Sequence, residues 1–153
     1  DGPDILNPAH KEKLAFLAQV AQLRAKAYDF FVYGELLDVL KSANDLPELK
    51  GKWNTPKGDA EVTVAAAHAA LWRSGKDNRL AIALANADTQ SQTFSLVSDL
   101  AQYGIAPTAW QLDRLSTEAP QSLGTRTGPV LTETVEIPAR SACLIVLTPN
   151  SKG

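Results

Sequence analysis

Apolar residues in the first third of the chain recur at the spacing of an α-helix. Residues 9–33 contain no proline or glycine and are rich in alanine, leucine, lysine, glutamine and arginine, which favour helix. Asn7 followed by Pro8 is a typical helix start, because asparagine caps free amides and proline fits the first helical position. Gly34 predicts the end of the helix, with a short helical continuation over residues 35–41.

The predicted helix is apolar over a wide part of its circumference. Two neighbouring stripes together span roughly 200°, about twice the apolar face of a typical surface helix. A single small sandwich covers one side only, so we expect the helix to contact partners on more than one side. Burial between two copies in a homo-oligomer is the alternative. The first stripe comprises Leu14, Leu17, Ala21, Tyr28 and Val32. The second stripe, expected to be exposed in an isolated chain, comprises Phe16, Val20, Leu23, Ala27 and Phe30.

From residue 61 onward the period of the apolar positions changes to two, which is typical of β-strands. Leucine or isoleucine on one face of residues 80–85 and alanine on the other predict a central, closely packed strand. The polar segment 74–78 predicts a hairpin turn. Residues 62–72 are expected as one long strand or two with a bend. Further strands are expected at 93–97, 108–115, 130–137 and 142–147, and one helical turn at 100–103.

Short strands without intervening helices favour an antiparallel β-sandwich. The predicted fold class is therefore mainly β, with the sandwich preceded by a long N-terminal α-helix. The chain divides into a helical segment at residues 1–45, a linker at 46–60 and the sandwich at 61–150. The linker is inferred from its concentration of proline and glycine.

Composition narrows the function classes. Hydrophobic residues make up 44% and charged residues 21% of the 153 residues, which fits a globular domain. A net charge of -2 offers no basic surface for nucleic acid. No apolar run reaches the roughly 18–20 residues that span a membrane. One cysteine, Cys143, and two distant histidines, His10 and His68, predict no intrachain disulfide, no metal site and no cofactor.

No catalytic constellation is recognisable in the sequence. Cys143 lies in an apolar strand and is expected to be a buried structural thiol, and residues 124–128 predict a turn rather than a phosphate-binding loop. Glu133 and Glu136 are three residues apart on a strand, so they face opposite sides. The other close pair, at residues 59 and 61, is expected on a solvated edge. We therefore predict no catalytic residue in this chain.

Aromatic side chains are the remaining candidates for carbohydrate binding, because their faces stack on the apolar faces of sugars. Trp72 and Trp110 lie in strand patterns and are expected to fill the core. Trp53 lies in the polar segment 50–54 and is the tryptophan expected at the surface. Trp53 is the candidate carbohydrate-binding residue, and packing of the linker onto the sandwich is the alternative.

Several segments, in this order, resemble the C-terminal portion of a poorly characterised family of bacterial glycoside hydrolase-like proteins. Residues 24–37, RAKAYDFFVYGELL, resemble the last helix of a (β/α)8 barrel and its exit into a C-terminal β-sandwich. Residues 70–75, ALWRSG, and 80–86, LAIALAN, resemble the first hairpin of that sandwich. Residues 99–104, DLAQYG, also fit, and residues 135–147, VEIPARSACLIVL, resemble its closing strands.

The resemblance implies a non-catalytic accessory β-sandwich that buttresses a catalytic barrel, either in the same parent protein or as its cleaved partner. Catalytic carboxylates would lie on barrel strands, so no catalytic residue can be transferred to this chain. The absence of methionine and the start at Asp1 suggest a processed chain or a piece of a longer one. The family's role in polysaccharide breakdown implies a secreted or periplasmic location.

Two other functions stay open on the sequence alone. The first is a stand-alone β-sandwich module that binds carbohydrate or a protein, with the helix mediating homo-oligomerisation. The second is a self-contained enzyme with an unrecognised site. Exposed coplanar aromatic side chains would favour the binding module, whereas an uncovered apolar helix face would favour the accessory domain.

Overall fold

The computed structural model describes residues 10–105 and 109–150. Within these residues the helical part comprises α1 (Lys11–Lys26) and α2 (Tyr28–Phe31). Ten strands follow: β1 (Glu35–Leu40), β2 (Glu48–Thr55), β3 (Gly58–Ala65), β4 (Ala67–Arg73), β5 (Leu80–Asn86), β6 (Gln92–Asp99), β7 (Ala109–Leu115), β8 (Gln121–Thr127), β9 (Val130–Ile137) and β10 (Ser141–Pro149). The predicted class, mainly β with a long N-terminal helix, is confirmed.

The N-terminal helix is interrupted once. α1 continues to Lys26, and Ala27 leaves helical geometry, with φ -108° and ψ 29°, before α2 begins. The predicted helix start at Asn7 and Pro8 lies outside the described residues. Helical structure ends close to Gly34, as the sequence predicts.

The strands form two layers and a separate hairpin. A six-stranded antiparallel sheet has the order β1-β4-β5-β10-β7-β8, and β6 pairs with β9 in a second antiparallel sheet. β5 is an interior strand, as its leucine and alanine alternation predicts. The main hydrophobic core contains one face of the six-stranded sheet together with β6, β9 and the 3-10 turn Leu100–Tyr103. Its largest buried side chains include Trp110, Phe94, Leu71, Ile82 and Ile145.

The predicted strands correspond to observed ones, including β6, β7, β9 and β10, although Thr108 lies outside the described residues. Residues 62–72 belong to two strands that separate at Ala66 and join different sheets. Trp110 fills the core as expected, whereas Trp72 is half-buried on the opposite, helix-facing side of the sheet. The division of the chain into three domains stays a prediction.

The expected helical continuation at residues 35–41 is wrong, because this segment forms β1. A register shift lies between Leu36 and Asp38, where β1 pairs with β4. The bulge places Leu36 and Val39 on one face of the sheet and Leu37 and Leu40 on the other. Each pair is therefore spaced three residues apart, which is the spacing that a helix would show.

The expected linker at residues 46–60 instead contains most of a regular hairpin formed by β2 and β3. Trp53 pairs with Ala60, and the whole register from β2 to β3 is unbroken. Its prolines do not interrupt the strands, since Pro47 precedes β2 and Pro56 lies in the turn. The turn ends at Gly58, whose φ of 111° suits glycine.

The predicted turn at residues 124–128 is also wrong, because most of it belongs to edge strand β8. Gly124 has a φ of 85°, and the pairing with β7 shifts register between Leu112 and Asp113, opposite this position. A glycine-containing bulge on an edge strand thus produced the composition of a turn. Arg126 of β8 forms an ion pair with Glu133 of β9, which fastens the edge strand to the second layer.

An ion-pair cluster fastens α2 to the turn between β4 and β5. Asp29 accepts a hydrogen bond from Lys76 Nζ at 2.6 Å and from Arg79 Nη2 at 3.1 Å. The hydrogen bond from Lys76, together with the charges of Lys76 and Arg79, holds the pKa of Asp29 below its ordinary value, against a smaller effect of burial. The cluster therefore favours the folded state most when Asp29 is ionised.

This cluster predicts a specific pH dependence. A lowered pKa in the folded state stabilises the protein above the unfolded value of about 4, and the contribution is lost as pH falls through the folded value. Replacing Asp29 with asparagine should lower the urea midpoint at about pH 7, but the variant should lose less stability than wild type between about pH 7 and pH 3. Asp45→Asn, at an exposed position without an ion pair among the described residues, should follow wild type. Parallel curves for Asp29→Asn and wild type would contradict the assignment.

Candidate functional site

The helix covers only part of the sheet face on which it lies. Leu23, Ala27 and Phe30 are buried against the sheet. Their partners on the sheet are the small or branched side chains Ala81, Leu144 and Val146. Alanine on the helix-facing side of β5 allows this close approach, which is the packing that the sequence predicts for that strand.

The other apolar stripe of the helix faces solvent. Leu17 is 60% exposed, and Tyr28 and Val32 are also exposed. The expectation that the stripe with Phe16, Val20 and Leu23 would be the exposed one is therefore wrong in detail, because Leu23 is buried and Phe16 is half-buried. The more general inference, that one sandwich cannot cover both stripes, agrees with the exposure of Leu17.

An apolar cleft of about 500 Å³, called the trough below, lies between the helices and β1. α1 and α2 form one wall, β1 forms the other, and β4 and β5 form the floor. At one end of the trough, Trp72 packs edge-to-face against Phe31, with ring centroids 5.1 Å apart and an interplanar angle of 87°. The trough is defined by Val20, Arg24, Phe31, Val39, His68, Ala70, Trp72, Ala83 and Ala85.

The side chains of the trough are apolar and open to solvent. Val39 is 63% exposed, and Leu36, on the same face of β1, is also exposed. The lining contains no carboxylate, and its charged side chain is Arg24, with His68 as the other basic group. An uncovered apolar cleft of this kind marks a surface for another macromolecule or an apolar ligand.

The wall formed by β1 is fastened from the core side. Tyr103 donates a hydrogen bond through its hydroxyl to Asp38 Oδ2 at 2.6 Å, and Arg73 donates to the carbonyl oxygen of Tyr103 at 2.8 Å. Burial raises the pKa of Tyr103, and the hydrogen bond to Asp38 raises it further. The phenol therefore stays protonated as a donor, and it holds the bulged part of β1 in place beside the trough.

Trp53, the predicted carbohydrate-binding residue, lies on the hairpin β2–β3 and does not line the trough. Its side chain is 68% exposed, as expected. Leu49, Trp53 and Val62 line a shallow groove of about 450 Å³ on this hairpin, and a Cβ added at Gly51 would meet no atom within 4 Å. Sugar binding at Trp53 stays a prediction.

The carboxylates considered from the sequence have structural partners or lie in solvent. Glu133 binds Arg126, and Glu136 accepts a hydrogen bond from Ser91 Oγ at 3.1 Å. Asp59 and Glu61 are exposed on β3. Among the described residues, no group of three or more histidine, cysteine, aspartate or glutamate side chains is placed to hold a metal ion.

Cys143 on β10 and His68 on β4 occupy different environments, and β5 lies between their strands. Cys143 is buried, and burial raises the pKa of its thiol. This agrees with its prediction as a structural residue. His68 is exposed at the trough. Within the described part of the chain, no helix is long and apolar enough to cross a membrane.

No protein-family model matches the chain, and neither does any curated protein. Solved structures that resemble it include a family 27 β-L-arabinopyranosidase from Geobacillus stearothermophilus, at 14% identity and a TM-score of 0.43. A family 44 xyloglucanase from Paenibacillus polymyxa is 18% identical, with a TM-score of 0.38. A family 51 α-L-arabinofuranosidase is 21% identical, with a TM-score of 0.36.

The matches cover 57%, 59% and 61% of this chain but only 18%, 18% and 17% of those enzymes. The chain therefore spans less than a fifth of the length of the structures it resembles. These neighbours are glycoside hydrolases, in line with the sequence resemblance, and no particular family is identified. With TM-scores below 0.5, the likeness carries no argument for function.

Proposed function

We propose that this chain is a non-catalytic C-terminal accessory domain of a glycoside hydrolase-like protein. Its β-sandwich buttresses the N-terminal catalytic barrel of the same parent protein, or a cleaved partner derived from it. The barrel covers two surfaces of this chain. One is the trough, and the other is the first apolar stripe of the helix, which includes the exposed Leu17. The sequence resemblance implies a (β/α)8 barrel as the covering body, and the uncovered apolar surface of this chain supports the existence of a covering body.

The observation that carries the proposal is the uncovered trough. Isolated exposed apolar side chains are common on folded proteins, but a contiguous apolar cleft is typical of an interface. Here the cleft has a floor of alanines and a wall that includes Val39. The exposed side chain of Leu17 continues the apolar surface along α1, three residues before Val20.

The proposal places hydrolysis in the barrel. Glycoside hydrolysis commonly uses two carboxyl groups flanking the scissile bond, one of them free to donate a proton. The carboxylates of Glu133 and Glu136 are held by Arg126 and Ser91, and they lie on opposite faces of β9. Their arrangement supports an accessory role rather than a catalytic one for this part of the protein.

Two exposed valines provide a matched test in the complete gene product. Val39 lies in the trough, whereas Val97, 54% exposed, lies on β6 in the other layer. A protease site is introduced before Asp1, and the two pieces are separated by gel filtration after cleavage. We expect the pieces of wild type and of Val97→Asp to elute together, and those of Val39→Asp to separate, because a carboxylate cannot be buried unpaired at an apolar interface.

The outcomes of this test are distinct. Circular dichroism of the separated 153-residue chain should show the same fold for both aspartate variants, since both valines face solvent. Co-elution of the Val39→Asp pieces would contradict docking through the trough. A complete gene product without a barrel would contradict the proposed accessory function itself.

A stand-alone carbohydrate-binding module is the second candidate function. It is favoured by the exposure of Trp53 beside the open position Gly51. In this case Trp53→Ala should abolish retardation of the chain in gels that contain a soluble polysaccharide, because stacking on the indole ring is lost. Val97→Ala, also at an exposed strand position, should leave retardation unchanged. Equal mobility of wild type in gels with and without each polysaccharide tested would count against this function.

A further inference from the structure

The width of the trough fits one α-helix. Neighbouring strands lie about 4.8 Å apart, so the strip from β5 through β4 to β1 is about 10 Å wide between its outer strands. The diameter of an α-helix with its side chains is about 10–12 Å. α1 lies against β10, next to this strip, and α2 contacts β4 at Trp72, which leaves β1 and the part of β4 at His68 and Ala70 without a helix above them. The sheet therefore has room for a single second helix beside α1.

The floor of the trough favours the same occupant. Ala70, Ala83 and Ala85 present only methyl groups, which lets a helix approach the sheet closely. The open floor on β4 includes His68 and Ala70 and ends at Trp72, where Phe31 of α2 packs against the indole ring.

The charge of the trough constrains the sequence of that helix. Arg24 lines the trough and forms no ion pair among the residues that the structure describes. A guanidinium group at the edge of an apolar interface requires an anionic partner when water is excluded. The occupant should therefore bring a carboxylate to Arg24, next to its apolar stripe.

A second copy of this chain fits these requirements poorly. Its exposed helix, α1, has the sequence KEKLAFLAQVAQLRAK, with four basic residues and one acidic residue. The acidic residue, Glu12, already lies 3.7 Å from Arg140. Placing one α1 in the trough of another copy would bring like charges together near Arg24, which opposes association.

We propose that the trough binds one amphipathic α-helix of the covering body, seated alongside α1 on the alanine floor, with an aspartate or glutamate paired to Arg24. This inference rests on the proposed accessory function and specifies which element of the partner is bound. It excludes a strand or an irregular loop as the main occupant, since neither would fill a strip about 10 Å wide.

Photo-crosslinking in the complete gene product tests the nature of the occupant. Benzoylphenylalanine is placed at Val39, and at Val97 as the control, and crosslinked peptides are identified by mass spectrometry. Crosslinks from Val39 should map to positions three or four residues apart in one helix of the barrel, and Val97 should give none. Crosslinks to a barrel strand or loop would overturn the helix inference and leave the proposed function standing. Crosslinks between two copies of this chain, or none from Val39, would overturn both.

Charge reversal tests the partner of Arg24. In the cleaved complex, Arg24→Glu should weaken association about tenfold, which corresponds to about 1.4 kcal/mol. Lys13→Glu, on the same helix but outside the trough, should leave the affinity unchanged. A lysine in place of the crosslinked helix's carboxylate should restore the affinity of Arg24→Glu. Unchanged affinity of Arg24→Glu would overturn the assigned ion pair.

Discussion

Replacing Asn86 with alanine is expected to destabilise the protein by about 3 kcal/mol, because one buried and two partly buried carbonyl groups would lose their donor. Asn86 is fully buried at the end of β5. Its side-chain amide donates to the carbonyl oxygens of Gln90 at 2.8 Å and of Ile137 and Pro138 at 3.0 Å. Its Oδ1 accepts from the amide of Asp88 at 2.9 Å.

This side chain thereby joins the six-stranded sheet to the end of β9 in the second layer. Alanine would leave a small cavity in addition to the unsatisfied carbonyls. The matched control is Asn54→Ala, an exposed asparagine on β2, for which the change should stay within about 0.5 kcal/mol. Urea unfolding followed by circular dichroism measures both. A loss below about 1 kcal/mol for Asn86→Ala would show that the network is not a major contact between the layers.

Gly75→Ala is expected to displace the helices from the sheet and to cost at least about 2 kcal/mol. A Cβ at Gly75 would lie 1.8 Å from the carbonyl oxygen of Tyr33 and 2.5 Å from its carbonyl carbon. Both atoms belong to the backbone, so relief requires the segment after α2 to move. The amide of Gly75 also donates to the carbonyl oxygen of Asp29 at 3.1 Å, and that bond would be strained by the movement.

The control is Gly51→Ala, because a Cβ at that position of the hairpin meets no atom within 4 Å. Its stability should stay within about 0.5 kcal/mol of wild type. Binding of an apolar dye should increase for Gly75→Ala only, since the buried side of α1 around Leu23 would become accessible. A Gly75→Ala protein with wild-type stability and dye binding would contradict the close contact that positions the helices beside the trough.

The positions of strands could be predicted where side chains alternate cleanly. On β5 the sequence LAIALAN places leucine and isoleucine toward the core and alanine toward the helix. The alternation predicts a strand buried on both faces, and the small side chains predict a close neighbour. The helix end near Gly34 was predictable for a similarly local reason, the break in a run without glycine or proline.

Local pattern failed where the backbone was irregular. The bulge in β1 separates Leu36 from Val39 by three residues on one face, so a strand acquired the spacing of a helix. In the hairpin β2–β3, glycine and proline suggested a linker. The segment is instead a hairpin because β2 pairs with β3. The composition of one segment does not show which other segment it pairs with.

The trough could not be located from the sequence, because its parts come from distant segments. Val39 meets Ala70 across β1 and β4, and Ala70 meets Ala83 across β4 and β5. Only the strand order and register bring them together beside Val20 of α1. The sequence also presents two similar stripes on the helix and contains no signal for which of them packs on the sheet.

The central claim is that the trough is covered in the complete protein. Its most direct measurement is the rate of maleimide labelling of Val39→Cys in the 153-residue chain and in the complete gene product. The native thiol of Cys143 is buried and should contribute little. Val97→Cys, at an exposed position on the other layer, is the control and should label at similar rates in both proteins.

We predict that Val39→Cys labels rapidly in the 153-residue chain and at least about tenfold more slowly in the complete product, as expected for a site buried by a partner. Equal rates for Val39→Cys in the two proteins would contradict the account.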